Sequence, residues 1–399
     1  MEQTLYQLPE GWEWKNLLDV ARIGAERGFT PVANEEGLVP FIGMSNIDQE
    51  TGLNSSHEYR DFKSVKSGYT KFQRNAVLVA KITPCTENNK TALISELDGG
   101  YATTEVYPVH CLCDIEPSYL LHFFRSPSVR SELISKMEGA TGRQRVPVSA
   151  LNLLTVPLPS LTEQKHIVTK LDALFTRIDS AIEQLQQTLK LSQALFASAL
   201  VEVFSDQPNW RRSKVKDIFH VINGRAYKRP ELLGQGKYKV VRIQNLKGGK
   251  SYYYSDMELA DDKYCESGDL LFSWSGTPGT SFGAFIWEGE KAIFHYHIWN
   301  MKPLVEIDIR FAYWLLRDLT EEAIAGSRGV AGMLHITKGM MEAFEVAIPS
   351  TIEEQREIAK RLDSLSENTR ALEEATQEKL DYLKSLKASL LDAAFCGQL

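Results

Sequence analysis

Residues 139–160 and 329–350 of this 399-residue chain are two versions of one segment, GATGRQRVPVSALNLLTVPLPS and GVAGMLHITKGMMEAFEVAIPS. Gly139 falls on Gly329, Gly142 on Gly332, Val156 on Val346, and Pro159-Ser160 on Pro349-Ser350. After a one-residue slip, Glu163-Gln164-Lys165 is answered by Glu354-Gln355-Arg356 and Leu171-Asp172 by Leu362-Asp363. Upstream the likeness is weaker but keeps its order. Trp12 and Trp14 open the first half and Trp210 the second; Asn46 corresponds to Asn245, NAVLVAKITP to GDLLFSWSGTP, and 119–125 to 311–317. A tandem repeat of this length constrains the fold more than any composition does: each half must be a structural unit of its own.

The segment after each repeated strand has helical periodicity. In residues 163–204, Ile167, Leu171, Leu174, Ile178, Ile182, Leu185 and Leu189 recur at spacings of three and four, which puts them on one stripe. The second tail carries Ile358, Leu362, Leu365, Leu372, Leu383, Leu386 and Leu390 in the same way. Ser160 with Glu163 and Ser350 with Glu353 have the spacing of a capping box. Each tail of about 40 helical residues is about 60 Å long. A single apolar seam on so long a helix needs a partner, and the other tail, packed antiparallel, is the nearest one.

Between the tails lie short apolar runs bounded by Gly, Pro, Asn and Ser, such as VPFIGMSNI, AVLVAKI, KVVRIQNL and DLLFSW, which read as strands of a mixed or antiparallel sheet. Each half also has a late helix, over 117–131 and 309–325. The expected fold class is α+β: two tandem-duplicated domains, 1–158 and 206–348, alternating with two long antiparallel, coiled-coil-like helices, 159–205 and 349–399. With 43% hydrophobic and 24% charged residues, each half can bury a core of its own. No apolar run approaches a bilayer span and the N-terminus lacks a signal-peptide pattern, so the expected compartment is the cytoplasm. The five cysteines form no CxxC pair and read as buried apolar residues.

The net charge of −7 argues against nucleic acid until its distribution is considered: residues 206–250 hold twelve Lys or Arg against three acids. Such a run is either a phosphate footprint or a solvated face. Three loops recur in matched places with different side chains: GAERGFTP and GRAYKRP, ITPCTENNK and WSGTPGT, GATGRQR and GSRGVAGMLH. Glycine permits close backbone approach, and Arg, Asn, Gln, Thr and His can read base edges; an ordinary polar turn is the plainer reading of any single loop. No phosphate-binding GxxxxGK[ST], GxGxxG, Asn-Pro-Pro-aromatic, GxSxG or HExxH motif occurs. His295 and His297 could share a strand face, but without an accompanying carboxylate or Cys ligand they make a poor zinc site. Asp269 and Glu105 have no lysine at a spacing that suggests a nuclease.

Two variable globular halves alternating with similar long helices, each introduced by a segment like VPLPSLTEQKHIVTKLD, and the flanking Leu8-Pro9-Glu10-Gly11-Trp12 and Ala394-Phe395-Cys396-Gly397-Gln398-Leu399, resemble Type I restriction–modification specificity subunits over essentially the whole chain. The resemblance implies a non-catalytic DNA-binding subunit whose two target-recognition domains each read half of a bipartite double-stranded site. It implies helices that fix the unread spacer and dock two methylation subunits, joined by restriction subunits that translocate DNA. No cofactor is expected in this chain; S-adenosylmethionine, ATP and Mg²⁺ belong to those partners. The residues expected to face DNA are Arg27, Lys81, Asn88, Asn89, Lys90, Arg143, Gln144 and Arg145 in the first half. In the second they are Arg225, Lys228, Arg229, Ser275, Thr277, Arg328 and His335. Ile167, Leu171, Leu174, Ile178, Ile182, Leu185, Ile358, Leu362, Leu365 and Leu372 mark the helices expected to bind those partner subunits. The second copy departs from the first at Thr351-Ile352-Glu353-Glu354, one residue longer, and the chain ends soon after Gly397, which implies no extra tail to wrap the N-terminal domain.

Overall fold

A computed structural model describes residues 6–112, 114–140, 142–205, 207–277, 280–326 and 334–399. The chain divides into two compact units, residues 1–186 with 377–399 and residues 187–376. The division falls inside both long helices, Leu161–Phe204 and Ile352–Phe395, each of 44 residues.

The two units repeat one topology. In the first, the strands Ala21–Ile23, Val106–Cys111, Ala76–Ala80 and Thr91–Ile94 form an antiparallel sheet in that order. A second sheet has the order Glu58–Asp61, Leu38–Ile42, Gly99–Ala102, Thr70–Gln73, with a parallel pairing of its two central strands. The second unit answers with Phe219–Asn223, Ile298–Pro303, Leu270–Ser273 and Gly283–Ile286. Its other sheet runs Tyr253–Ser255, Tyr238–Val241, Ala292–Phe294, Tyr264–Cys265, again parallel at its centre. The central strands AVLVA and LLFS are buried at every position, which explains their near-continuous apolar sequence. The repeated segments Thr155–Leu158 and Glu345–Ile348 each pair antiparallel with the opening strand of their unit, Glu13–Asn16 and Arg211–Lys214.

Small polar devices recur with this scaffold. Asn46 Oδ1 accepts from Gly43 N–H at 2.8 Å, and Asn245 Oδ1 from Arg242 N–H at 3.0 Å, each closing one short turn. On the long helices, Asp172 meets His122 Nε2 at 3.0 Å, and Asp363 takes the Trp314 Nε1–H at 2.8 Å. His122 and Trp314 hold the same place in the repeat.

Three expectations are corrected. The first late helix is two helices, Pro117–Arg125 and Pro127–Ser135, because Pro127 holds Ser126 in extended backbone. The cap of the second long helix is Thr351, whose Oγ1 accepts from Glu354 N–H at 3.3 Å, not Ser350; the extra residue of the second copy moves the box by one. Leu372 is 46% exposed, and Leu380 is buried where the seam continues. The last turns of the second long helix belong to the core of the first unit. Tyr6 Oη donates to Phe395 O at 2.6 Å, and the Phe395 ring is edge-on to Tyr119 and Phe123.

Candidate nucleic-acid interface

Each unit has one place where a central strand leaves its sheet beside the loop before the repeated strand. In the first unit the chain leaves Ala76–Ala80 at Lys81. Lys81 N–H donates to Glu105 O at 3.0 Å, and its carbonyl accepts from Val146 N–H at 2.7 Å. Ile82 bridges Arg145 antiparallel, and Thr83 N–H donates to Gln144 O. Lys81 Nζ lies 4.4 Å above the Tyr107 ring, an attraction worth about 0.5–1 kcal/mol at such a site. Burial pushes the Lys81 ammonium below the usual lysine range, and the nearby Arg145 guanidinium adds to this while Glu105 opposes it. Arg143 and Arg145 are exposed.

In the second unit the chain leaves Leu270–Ser273 at Trp274. Trp274 N–H donates to His297 O at 3.2 Å and its carbonyl accepts from Ile336 N–H at 3.3 Å. Ser275 pairs antiparallel with His335. The Trp274 ring stacks on Trp299 at 6.0 Å, and Trp299 stacks on Phe272 at 6.0 Å, so a column of three rings runs from the core to the surface. His297 and His335 stand 5.2 and 6.0 Å from the Trp274 ring, and Trp274 Nε1–H donates to Tyr296 O at 2.7 Å. Burial, with His335 close by, pushes the His297 imidazole below its usual range.

The expected site residues divide accordingly. Lys81, Arg143, Gln144 and Arg145 are brought together, and His335 joins the ring column. Asn88 and Asn89 instead line a cleft of about 330 Å³ with Arg125, Arg130, Asp179 and Lys387. Lys90 is a structural lysine: its Nζ donates to Met44 O at 2.8 Å and Ile47 O at 3.3 Å. Lys90→Ala should therefore cost about 2 kcal/mol of stability in a denaturant titration and leave any target preference unchanged; a changed preference would return it to the interface. Arg225 is held bidentate by Glu231 at 3.0 and 2.8 Å, which draws the Glu231 carboxyl down to about 2. Ser275 is buried at 4% exposure, so only its backbone serves the site. Arg27 is exposed on a turn, Lys228 and Arg229 are exposed at the start of the short helix Arg229–Glu231, and Thr277 is exposed after Ser275-Gly276. Arg328 lies outside the described residues. Of the basic run, Lys237 and Lys239 are also paired, with Glu258 and Glu290, which weakens its reading as a free phosphate footprint.

Tyr107 is new to the site; Trp274 enters it from the loop WSGTPGT, and Glu105 and His297 enter it in place of the nuclease and zinc readings. The match of NAVLVAKITP to GDLLFSWSGTP sets Trp274 against Lys81, but a lone tryptophan beside a strand reads as core. The histidine pair was noted only as a metal candidate, and among the described residues no group of three His, Cys, Asp or Glu could hold a metal ion.

Most of the helix stripe faces this chain's own tails, as its seam requires, so the stripe itself is not free for an outside partner. Ile167, Leu171, Ile178 and Leu362 are at most 7% exposed. Ile167 and Leu171 pack with Leu391, Ala394 and Phe395, and Leu362 packs with Leu200, so this chain itself covers them. Burying Leu171 alone stabilises the first unit by about 2 kcal/mol. Leu174, Ile182, Leu185, Ile358 and Leu365 are half-buried along the same seam. The antiparallel order is clear within the first unit, where Asp179 receives Lys387 at 2.7 Å while Leu171 lies near the Phe395 end.

The family model described as the Type I restriction modification DNA specificity domain matches residues 9–191 and again 208–382. The chain is 34% identical to the EcoAI specificity subunit of Escherichia coli over 222 residues, 53% of this chain and 37% of that protein. To the EcoEI specificity subunit of Escherichia coli it is 32% identical over 220 residues, 53% and 36% of the two chains. It thus spans little more than a third of the length of these two relatives. Among solved structures, the HsdS subunit from Thermoanaerobacter tengcongensis aligns over 100% of both chains with a TM-score of 0.65 and 24% identity. A chain from work on complex assembly and conformational transition of the type I R-M system covers 99% of this chain and 100% of its own, with a TM-score of 0.84 and 22% identity. These two likenesses establish the fold, and the doubled match of the family model fixes the membership: the chain belongs to the Type I restriction–modification DNA specificity family and carries two copies of its domain.

Proposed function

We propose that this chain is the specificity subunit of a Type I restriction–modification complex and has no catalysis of its own. Each unit reads one half of a bipartite double-stranded DNA target. The long helices set the unread spacer and offer their outer faces to two methylation subunits. S-adenosylmethionine is bound by those subunits, and ATP and Mg²⁺ by restriction subunits that join them. Among the described residues no helix is long and apolar enough to cross a membrane, and the proposed compartment is the cytoplasm, where the chromosome is the substrate.

The observation that carries this reading is the repetition of one complete scaffold, strand for strand, with unlike side chains at the same exit point. A protein that recognised one ligand would gain nothing by carrying two different copies; a reader of two different half-sites needs them. The helix seam, covered within the chain, leaves the opposite faces for partners. The test is to sequence methyl-adenine in the host genome with this gene intact and deleted. A two-part motif that loses methylation on deletion is the expected result, and an unchanged methylation pattern would sink the proposal.

A further inference from the structure

The two exit points are superimposable in hydrogen bonding and exchanged in chemistry. Lys81 and Trp274 each donate a backbone N–H to one strand neighbour, Glu105 or His297, and each accepts from the residue after Arg145 or His335. Arg145 and His335 each pair with the next residue of the leaving chain, Ile82 or Ser275. Tyr107 and Trp299 take equivalent ladder places, opposite Val79 and Phe272, and each supports the residue above it: an ammonium on a ring in one case, a ring on a ring in the other. At some places the repeat keeps both geometry and chemistry, as at Asn46 and Asn245 or Gln164 and Gln355. Here it keeps the geometry alone.

We infer that these equivalent positions discriminate bases in the two halves, Lys81, Glu105 and Arg145 selecting a G·C pair, and Trp274, His297 and His335 selecting an A·T pair. This rests on the proposed function above. In the major groove guanine presents two acceptors, N7 and O6, and cytosine a donor, N4–H₂. Two cationic donors beside one carboxylate match that pair on both strands. Thymine presents a methyl group and an acceptor, adenine an acceptor and a donor. An aromatic surface flanked by two imidazoles offers apolar contact and hydrogen-bonding groups. Burial lowers His297 further below pH 7, and its neutral ring has one donor and one acceptor. The supporting Tyr107 and the Phe272–Trp299 column hold each set in place, as a contact that distinguishes bases requires.

The experiment compares methyl-adenine maps from cells carrying the full complex with the unaltered chain, Arg145→Ala, His335→Ala or Trp274→Phe, the last retaining a ring. Arg145→Ala should relax one G·C position in one half of the motif, the preference there falling about 10-fold or more, with the other half intact. His335→Ala and Trp274→Phe should relax one A·T position in the other half. An unchanged motif overturns the inference. So does relaxation in the same half for both sets or at a base pair of the other kind, or a uniform loss over all sites by a variant that melts like the unaltered chain. If the unaltered chain directs no bipartite motif, the proposed function fails and takes this inference with it; if it directs one and the variants leave it unrelaxed, only the inference falls.

Discussion

Gln164→Ala should lower the stability of the first unit by about 3 kcal/mol, and Gln355→Ala that of the second by about 2 kcal/mol. Both glutamines belong to the repeated Glu-Gln-Lys/Arg segment, and neither is more than 2% exposed. Gln164 Oε1 accepts from Glu116 N–H at 2.9 Å, and its Nε2 donates to Asp114 O and Pro159 O, both at 2.9 Å. Gln355 repeats this with Asp308 N–H at 2.8 Å and Pro349 O at 3.2 Å. Each amide ties the first turn of a long helix to the start of the late helix of its unit. Removing it strands backbone groups where water does not replace it, and the larger cost at Gln164 reflects its third bond. Gln164→Met keeps the volume and loses the bonds, so it should fall nearly as far as Ala in thermal denaturation. If Gln164→Met melts with the unaltered chain, packing rather than hydrogen bonding explains the recurrence of this residue.

These glutamines also mark how far the sequence is legible. Their recurrence is visible in the letters, and so are the long helices, because a seam at spacings of three and four depends only on local periodicity. The order of the strands is not visible, since it is decided by pairings between distant segments. Val240 and Ile293, for example, lie in parallel register. The same holds for the interface. Arg145 and His335 stand out on glycine-rich loops, yet Glu105 and Tyr107 reach Lys81 only across a strand ladder. Lys90 and Arg225 mislead for a related reason. A loop cation looks free in sequence, and only the fold brings Met44 O and Ile47 O to the one, while Glu231, six residues on, folds back onto the other. The helix seam is more legible. Its apolar letters call for an antiparallel partner in the other tail, and within the first unit that tail covers Ile167 and Leu171.

Acidification should unfold the first unit through His110, which is 5% exposed in the strand Val106–Cys111. Its Nε2 accepts from Gln73 N–H at 3.0 Å, so the ring must be neutral with that nitrogen unprotonated. Burial, reinforced by the nearby Arg22 guanidinium, pushes the imidazole down to about 4. In the unfolded chain the same ring titrates near 6.5. Between these values the unfolded state binds more protons than the folded one. The stability His110 contributes is therefore complete above pH 6.5 and is lost as pH falls, by about 2 kcal/mol at pH 5 and about 3 kcal/mol by pH 4. His295 in the second unit, also pushed down to about 4 by burial and by its neighbours His297 and Arg242, works in the same direction. His110→Gln supplies an acceptor that does not titrate in this range. It should melt lower than the unaltered chain at pH 7.5, yet lose less between pH 7.5 and pH 5 in the transition of the first unit. Equal losses in the two proteins would mean that the acid sensitivity of the first unit lies in other groups.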